Sequence, residues 1–286
     1  MSKHIISGPQ KLVNNLLVGF SNKKGVVFNK HLHSNYYFCN FDCSNKTLVQ
    51  KICSNTENKV LVGPLYSIES LYELSNLSKQ FTNLKIIAAS KSSKSSTMQL
   101  LDFSIEEGVI EVLPVGVAFE QDISLDNSNV VRDNALIYFK GRDKEDLKFV
   151  TKLLEAKNIN YKIFKYGDYT NQKLLQTAAT SKFGFVVGRT ESQGIAINEM
   201  MSLNLPLFIY DSKINNYGGK DLVGTSVPYF DKSCGKIISD VKNIEYEFDD
   251  FLDNLEQGKF SPNKYILKEL THEAVFKKLE QIYLSF

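Results

Sequence analysis

Two glutamates, Glu191 and Glu199, stand with seven residues between them in GRTESQGIAINEMMSLNLPLFIYD, the stretch from Gly188 to Asp211. An apolar run, Phe183 to Val187, precedes it, and Leu205-Pro206-Leu207-Phe208-Ile209 lies near its end. Both runs read as buried strands with a loop and a helix between them. Gly188 to Ser192 then follow a strand end, and Gln193 or Gly194 opens the helix. The first N–H groups of a helix have no partner within it and carry partial positive charge, so they can hold an anion, most naturally a phosphate. Gly194 lets backbone approach such a group closely. Glu191 lies before this point and Glu199 more than a turn beyond it, and the helical rise between them spans roughly 12 Å. A carboxylate accepts two hydrogen bonds well from a diol. An acid at each end and a helix N-terminus between them fit a ligand with hydroxyl-bearing rings at both ends and a diphosphate in the middle, as in a nucleotide sugar. Ordinary exposed charges on a strand–loop–helix unit give the same spacing, so on spacing alone both readings stand.

Positioning these residues takes a sheet. Short apolar, β-branched runs alternate with amphipathic stretches along the chain. Strands are expected at His4 to Ser7, Val26 to Phe28, Tyr36 to Cys39, Val60 to Val62, Leu84 to Ala89 and Val109 to Leu113. Further strands are expected at Ala135 to Phe139, Tyr161 to Phe164, Phe183 to Val187 and Leu205 to Tyr210. Helical spacing marks Gln10 to Phe20, Ile68 to Phe81, Lys144 to Ala156, Gln172 to Thr180 and the segment around Gly194 to Leu203. Asn263 to Phe286 reads as one long amphipathic helix with Ile266, Leu270, Val275, Leu279 and Ile282 apolar. SKSSKSS after Ala89 is a low-complexity patch, and polar Pro114 to Asp133 reads as a connection between domains. The alternation predicts an α/β fold of two Rossmann-like domains facing a cleft, with ligands outside the carboxyl ends of the strands.

The bulk composition narrows the partners. The chain has 286 residues, 43% hydrophobic and 23% charged, with a formal net charge of +2. That balance carries no basic footprint for nucleic acid. No segment reaches about 18 uninterrupted apolar residues, so no transmembrane segment is expected. MSKHIISGPQ has neither the apolar core nor the small-residue site of a signal peptide, and the four cysteines, read as ordinary thiols, point to a reducing cytoplasm. Lys11, Lys23 and Lys24 flank an apolar helix, and peripheral membrane contact is an alternative to burial of that helix in a core. Four cysteines do not suggest a disulfide framework, and His31, His33, Cys39 and Cys43 fit no standard zinc spacing.

Glu191-Ser-Gln-Gly-Ile-Ala-Ile-Asn-Glu199, followed by MMSLNLPLF, resembles the donor-binding signature of GT-B glycosyltransferases of the retaining family 4 or group 1 type. Three more segments fall in the order of that family. IEVLPVGV (Ile110 to Val117) looks like the interdomain strand and hinge. ALIYFKGRDKEDL (Ala135 to Leu147) looks like the first donor-domain strand and its basic residues. FKYGDY (Phe164 to Tyr169) looks like the loop that receives the base. The chain departs from the family in its first loop, Ser7-Gly8-Pro9, and in the crowding of Lys140, Arg142 and Lys144.

The resemblance implies an acceptor-side domain over 1–116, a donor domain over 117–262, and a terminal helix over 263–286 that crosses back to the first domain. It implies transfer of a sugar from a nucleoside diphosphate sugar to a hydroxyl acceptor on a glycan, lipid or protein-linked sugar. The nucleotide sugar is a co-substrate, and no cofactor is expected. Glu191, Arg142 and Lys140 are the expected catalytic residues, with the two cations stabilising the leaving diphosphate. Glu199, Ser192, Gln193, Gly194, Ile195, Gly167 and Tyr166 are expected at the donor. Ser7, Gly8, Pro9, His31 and His33 are expected at the acceptor or sugar. No Asp-x-Asp triplet is present to bridge a metal, so charge neutralisation is expected from the helix and the basic side chains. The alternative function is a catalytically silent nucleotide-sugar or glycan-binding protein.

Overall fold

A strand buried on both faces needs apolar side chains in both directions, and these strands have them. Val60 and Val62 face one cluster of the core and Leu61 the other; Ile86 and Ile87 divide in the same way. The computed structural model describes residues 8–21, 23, 26, 35–65, 67–117, 132–217 and 219–286. The strands expected at His4 to Ser7 and Val26 to Phe28 fall largely outside these residues, as does most of the polar connection.

The first half consists of α1 (Gly8–Ser21), β1 (Tyr36–Cys39), α2 (Lys46–Cys53), β2 (Lys59–Val62), α3 (Ile68–Gln80), β3 (Leu84–Ala88), α4 (Lys91–Leu100) and β4 (Ile110–Val112). Its described strands form a parallel sheet in the order β1-β2-β3-β4. The second half begins with β5 (Asn134–Lys140), α5 (Lys144–Ala156), β6 (Tyr161–Lys165), α6 (Asn171–Thr180), β7 (Ser181–Gly188), α7 (Ile195–Ser202) and β8 (Leu207–Tyr210). It continues with β9 (Ile214–Tyr217), β10 (Lys220–Val223), β11 (Gly235–Ile238), α8 (Ile244–Glu256), α9 (Pro262–Glu269) and α10 (His272–Leu284). Its main sheet is parallel in the order β11-β8-β7-β5-β6. That is a doubly wound order whose direction reverses between β5 and β7, and crevices form at such a point. One face of this sheet carries an aromatic core of Phe183, Phe185, Phe208, Phe248 and Phe251.

The tail differs from one continuous helix. Thr271 accepts a hydrogen bond from the Ala274 N–H at 3.1 Å and caps a new helix, so α9 and α10 are separate. Their packing differs too. Ile266 and Leu270 of the first segment join the core of the second half. Val275, Leu279 and Ile282 of α10 pack with Leu12, Leu16 and Phe20 of α1 and with Leu61 and Ile87 of the first sheet. Only the second segment crosses back.

The same capping chemistry reshapes the low-complexity patch. Ser90 and Ser93 form a reciprocal capping box, and SKSSKSS becomes the start of α4. In the second half, Ile214–Tyr217 and Lys220–Val223 form an antiparallel hairpin, β9 with β10. This hairpin reaches across to α4. Val223 donates its N–H to Gln99 Oε1 at 2.9 Å and accepts from Ser96 Oγ at 2.6 Å, and Lys220 pairs with Asp102 at 2.7 Å.

Candidate functional site

The crevice of the second sheet opens where Lys140 ends β5 beside Gly188, its partner at the end of β7. The Arg189 N–H holds the Lys140 carbonyl at 2.9 Å, so the two chain ends leave the sheet together. Glu191 lies in the loop that follows. Its N–H donates to the Thr225 carbonyl at 2.8 Å. Buried Asp211 supports that neighbouring segment, accepting from the Ser226 N–H at 2.6 Å and the Thr225 hydroxyl at 3.0 Å. The Ser226 hydroxyl donates to the Gly188 carbonyl at 2.9 Å. The loop is therefore fastened from beneath, which fixes where Glu191 points.

Lys140 and Glu191 form an ion pair of 2.6 Å. Burial raises the Glu191 pKa above the ordinary carboxylate value, and the charge and hydrogen bond of Lys140 oppose the rise. The Lys140 ammonium also lies 4.4 Å from the centre of the Tyr166 ring, a cation–π contact. Tyr166 is exposed, at the head of the β6–α6 loop, where Gly167 turns with a φ of 94°. Beneath this mouth, Tyr138 and Tyr169 meet edge to face at 6.2 Å. Burial pushes the Tyr138 phenol upward and that of Tyr169 up to about 12, so both stay neutral donors at ordinary pH.

Gly194 is the residue before α7, with a φ of 70°, a left-handed conformation that a glycine takes without strain. It offers no side-chain cap to the first N–H groups of the helix. Glu199 lies on α7 and is only 6% exposed. Its carboxylate pairs with Lys11 of α1, which also donates to Asn171 Oδ1 at 2.7 Å at the start of α6.

Several expected site residues sit differently. Gln193 does not reach toward a donor. The residue is 2% exposed, its Oε1 accepts from the Val115 N–H and its Nε2 donates to the Val115 carbonyl, both at 3.1 Å. The amide matches a peptide unit at both ends, and Gln193 becomes a clasp between the halves. Ile195 packs against the apolar cluster shared by α1 and α10. Arg142 turns from Lys140 toward β8. Its Nε donates to Asp146 at 2.8 Å, four residues on, and its guanidinium lies 4.4 Å from the centre of the Tyr210 ring. Ser192 is exposed next to the N-terminal end of α7. Gly8 and Pro9 open α1. Ser7, His31 and His33 lie outside the described residues.

Lys11 and Asn171 were not anticipated at the site, while Tyr138 and Tyr169 fall within the segments expected as the first donor-domain strand and the base-receiving loop. One signal was present for Lys11. A cation in the first turn of a helix works slightly against the helix dipole, which marks Lys11 as a residue to account for but does not name its partner. Of the three lysines that raised a membrane reading, Lys11 pairs with Glu199 and Lys23 with Glu273. No described helix is long and apolar enough to cross a membrane. No cluster of three or more potential metal ligands occurs among the described residues.

Chemically, the crevice offers an ammonium and open helix N–H groups for an anion, flanked by two carboxylates that accept from hydroxyls. No family model matches the chain, and no curated protein sequence matches it significantly. Solved structures do. AviGT4, described as a glycosyltransferase involved in avilamycin A biosynthesis, is 9% identical, with 97% of this chain and 89% of that one covered and a TM-score of 0.49. Sucrose-phosphate synthase from Thermosynechococcus elongatus is 11% identical over 88% of this chain and 73% of that one, with a TM-score of 0.48. A chain of the GtfA/B complex is 14% identical over 84% of this chain, which spans 56% of its length, with a TM-score of 0.46.

Proposed function

We propose that this protein is a GT-B glycosyltransferase that moves a sugar, most simply a hexose, from a nucleoside diphosphate sugar to a hydroxyl acceptor. The reading is carried by one arrangement. Lys140, Glu191, the open N-terminal end of α7 and Glu199 follow one another around the carboxyl ends of β5 and β7, where the parallel order reverses. In this reading Glu199 accepts from the ribose hydroxyls, and the α7 N-terminus and Lys140 hold the diphosphate. Glu191 faces the transferred sugar. The anomeric C–O bond breaks and its electron pair leaves on the diphosphate. The acceptor oxygen forms the new bond and releases its proton. Positive charge fixed at the leaving group acts most strongly in the transition state, where the negative charge develops. In this reading Arg142, held by Asp146 beside β8, adds to this field from a distance. Retention of anomeric configuration belongs to the same proposal, by resemblance of the Glu191 to Glu199 stretch to retaining GT-B glycosyltransferases. Independence from metal joins it because no Asp-x-Asp triplet is present, and a cytoplasmic setting because of the cysteine usage.

The test is a panel of UDP- and GDP-sugars on the full chain. A donor at a hundred times its dissociation constant adds about 2.7 kcal/mol of stability, read as a thermal shift. Release of nucleoside diphosphate that depends on a glycan acceptor supports transfer. Stabilisation without release from any donor identifies a silent nucleotide-sugar binding protein. Lack of stabilisation by every donor removes the reading.

A further inference from the structure

Lys11 belongs to the first half of the chain, yet its charge is satisfied by the second. Its ammonium pairs with Glu199 and donates to Asn171 at 2.7 Å, with the lysine side chain 21% exposed and that of Glu199 8% exposed. The two partners begin or occupy α6 and α7, and Ile195 at the start of α7 packs on the cluster that contains Leu12 and Leu16 of α1. The first turn of α1 therefore lies alongside the N-terminal end of α7. If Glu199 receives the ribose, the ligand must take the place of this ammonium, and a mostly buried ion pair is separated. Separating such a pair is costly unless each charge finds a new partner. A nucleoside brings only hydroxyls and leaves the ammonium with Asn171 alone. A nucleoside diphosphate brings the anion that replaces the carboxylate.

We propose that Lys11 is a specificity-determining residue that admits diphosphate-bearing ligands and turns away the corresponding nucleosides. This rests on the donor assignment made above. In the empty protein Lys11 holds the ribose position shut; on donor binding its ammonium exchanges Glu199 for the diphosphate, drawing α1 onto the donor. Specificity then comes from an internal competitor that only a phosphorylated ligand can compensate.

The experiment measures dissociation constants of UDP, GDP, uridine and guanosine for the full chain and for Lys11→Met, Lys11→Gln and Lys11→Arg. The ratio of nucleoside to nucleoside diphosphate constants is expected to fall at least tenfold in Lys11→Met, through weaker diphosphate binding and equal or tighter nucleoside binding. Lys11→Arg should restore most of the ratio. Lys11→Gln keeps a hydrogen bond to Asn171, and supplies the neutral variant if Lys11→Met does not fold. An unchanged ratio, or equal weakening of both ligands, overturns the role of Lys11 and leaves the donor assignment standing. A wild-type protein that binds none of the four overturns the donor assignment and this proposal with it.

Discussion

Around α10 the halves meet mainly through carbon, with polar contacts such as Lys23 with Glu273 and Lys59 with the Tyr283 carbonyl at its rim. Val275, Leu279 and Ile282 close over Leu12, Leu16 and Phe20, and Phe276 sets its ring edge to face with Phe20 at 5.8 Å. Along the cleft they meet through polar groups: Lys11 with Glu199, Gln193 with Val115, the Tyr229 hydroxyl with the Ala89 carbonyl at 2.6 Å, and the β9–β10 hairpin with α4. The apolar seam is non-directional and scales with area kept from water. Each neutral polar contact contributes only about 0.5–1.5 kcal/mol net and one to a charged group about 1.5–3, because water or a polar ligand offers comparable bonds when the contact opens. A polar ligand can substitute for contacts of the second kind and not of the first. The contrast teaches that the α10 seam is the permanent joint and the cleft seam the one a ligand can rewrite.

The comparison breaks most visibly in stability. Leu279 is 6% exposed within the apolar seam, and Leu279→Ala should cost about 2–5 kcal/mol in urea unfolding, from lost burial and a cavity. A loss below 1 kcal/mol, on the order of one polar contact, would erase the distinction between the seams. On the cleft side, Glu199→Gln keeps shape and loses charge. Nucleotide affinity should fall by about 1.5–3 kcal/mol, the range of a charged hydrogen bond, in a calorimetric titration. Unchanged affinity in the folded variant would remove Glu199 from the ribose. Gln193→Ala strands the N–H and carbonyl of buried Val115, with an expected cost of about 1–3 kcal/mol. A neutral result would mean that water replaces the clasp.

The smallest effect sharpens the apolar seam. His272 starts α10 with its ring against Gly19 and Gly116, where a Cβ would fall 2.6 and 2.4 Å from its Nδ1, and its buried Nε2 has no hydrogen-bond partner. Burial, and secondarily the charge of Lys23, lowers its pKa; Lys23 is itself paired with Glu273. A lowered histidine pKa means that the unfolded chain binds the proton first. This contribution to stability is present above the ordinary pKa of about 6.5 and is lost as pH falls through the lowered value. His272→Gln should flatten the stability-versus-pH curve in that window. An identical curve for the variant would show that His272 does not titrate against folding.

Much of the second half was legible in its apolar runs. β5, β7 and β8 are carried by Leu136, Val186 and Phe208 and their neighbours, and completely buried strands announce themselves by composition. The break at Thr271 and the start of α4 at Ser90 were harder to read, because one hydroxyl decides each and the surrounding pattern stays helical. β11 and α8 passed unread: Gly235–Ile238 is short, and α8 rests mainly on Ile244, Phe248 and Phe251. Near the two glutamates, the end of β7 and the start of α7 were legible, because a strand end and a helix start are local features. The partners of those glutamates were not local. Lys11 and Glu199 are 188 residues apart, and no periodicity links them. Gln193 shows the same limit, since its partner is a backbone peptide, which every residue offers.

The split of the tail between α9 and α10 has a consequence for the order in which the protein is made. Residues 272–284 are synthesised after every described strand, yet they complete one face of the sheet formed by β1 to β4. While the ribosome is still producing the second half, Leu12, Leu61 and Ile87 have no Val275, Leu279 or Ile282 to cover them. Contacts of such separation are slow to form, and the uncovered face is a place for a nascent chain to stick to others. The first half would then mature last although it is made first. A released chain ending at residue 260 should accordingly bind an apolar dye that the full chain excludes, and equal dye binding by the two would show that α10 is not the missing cover.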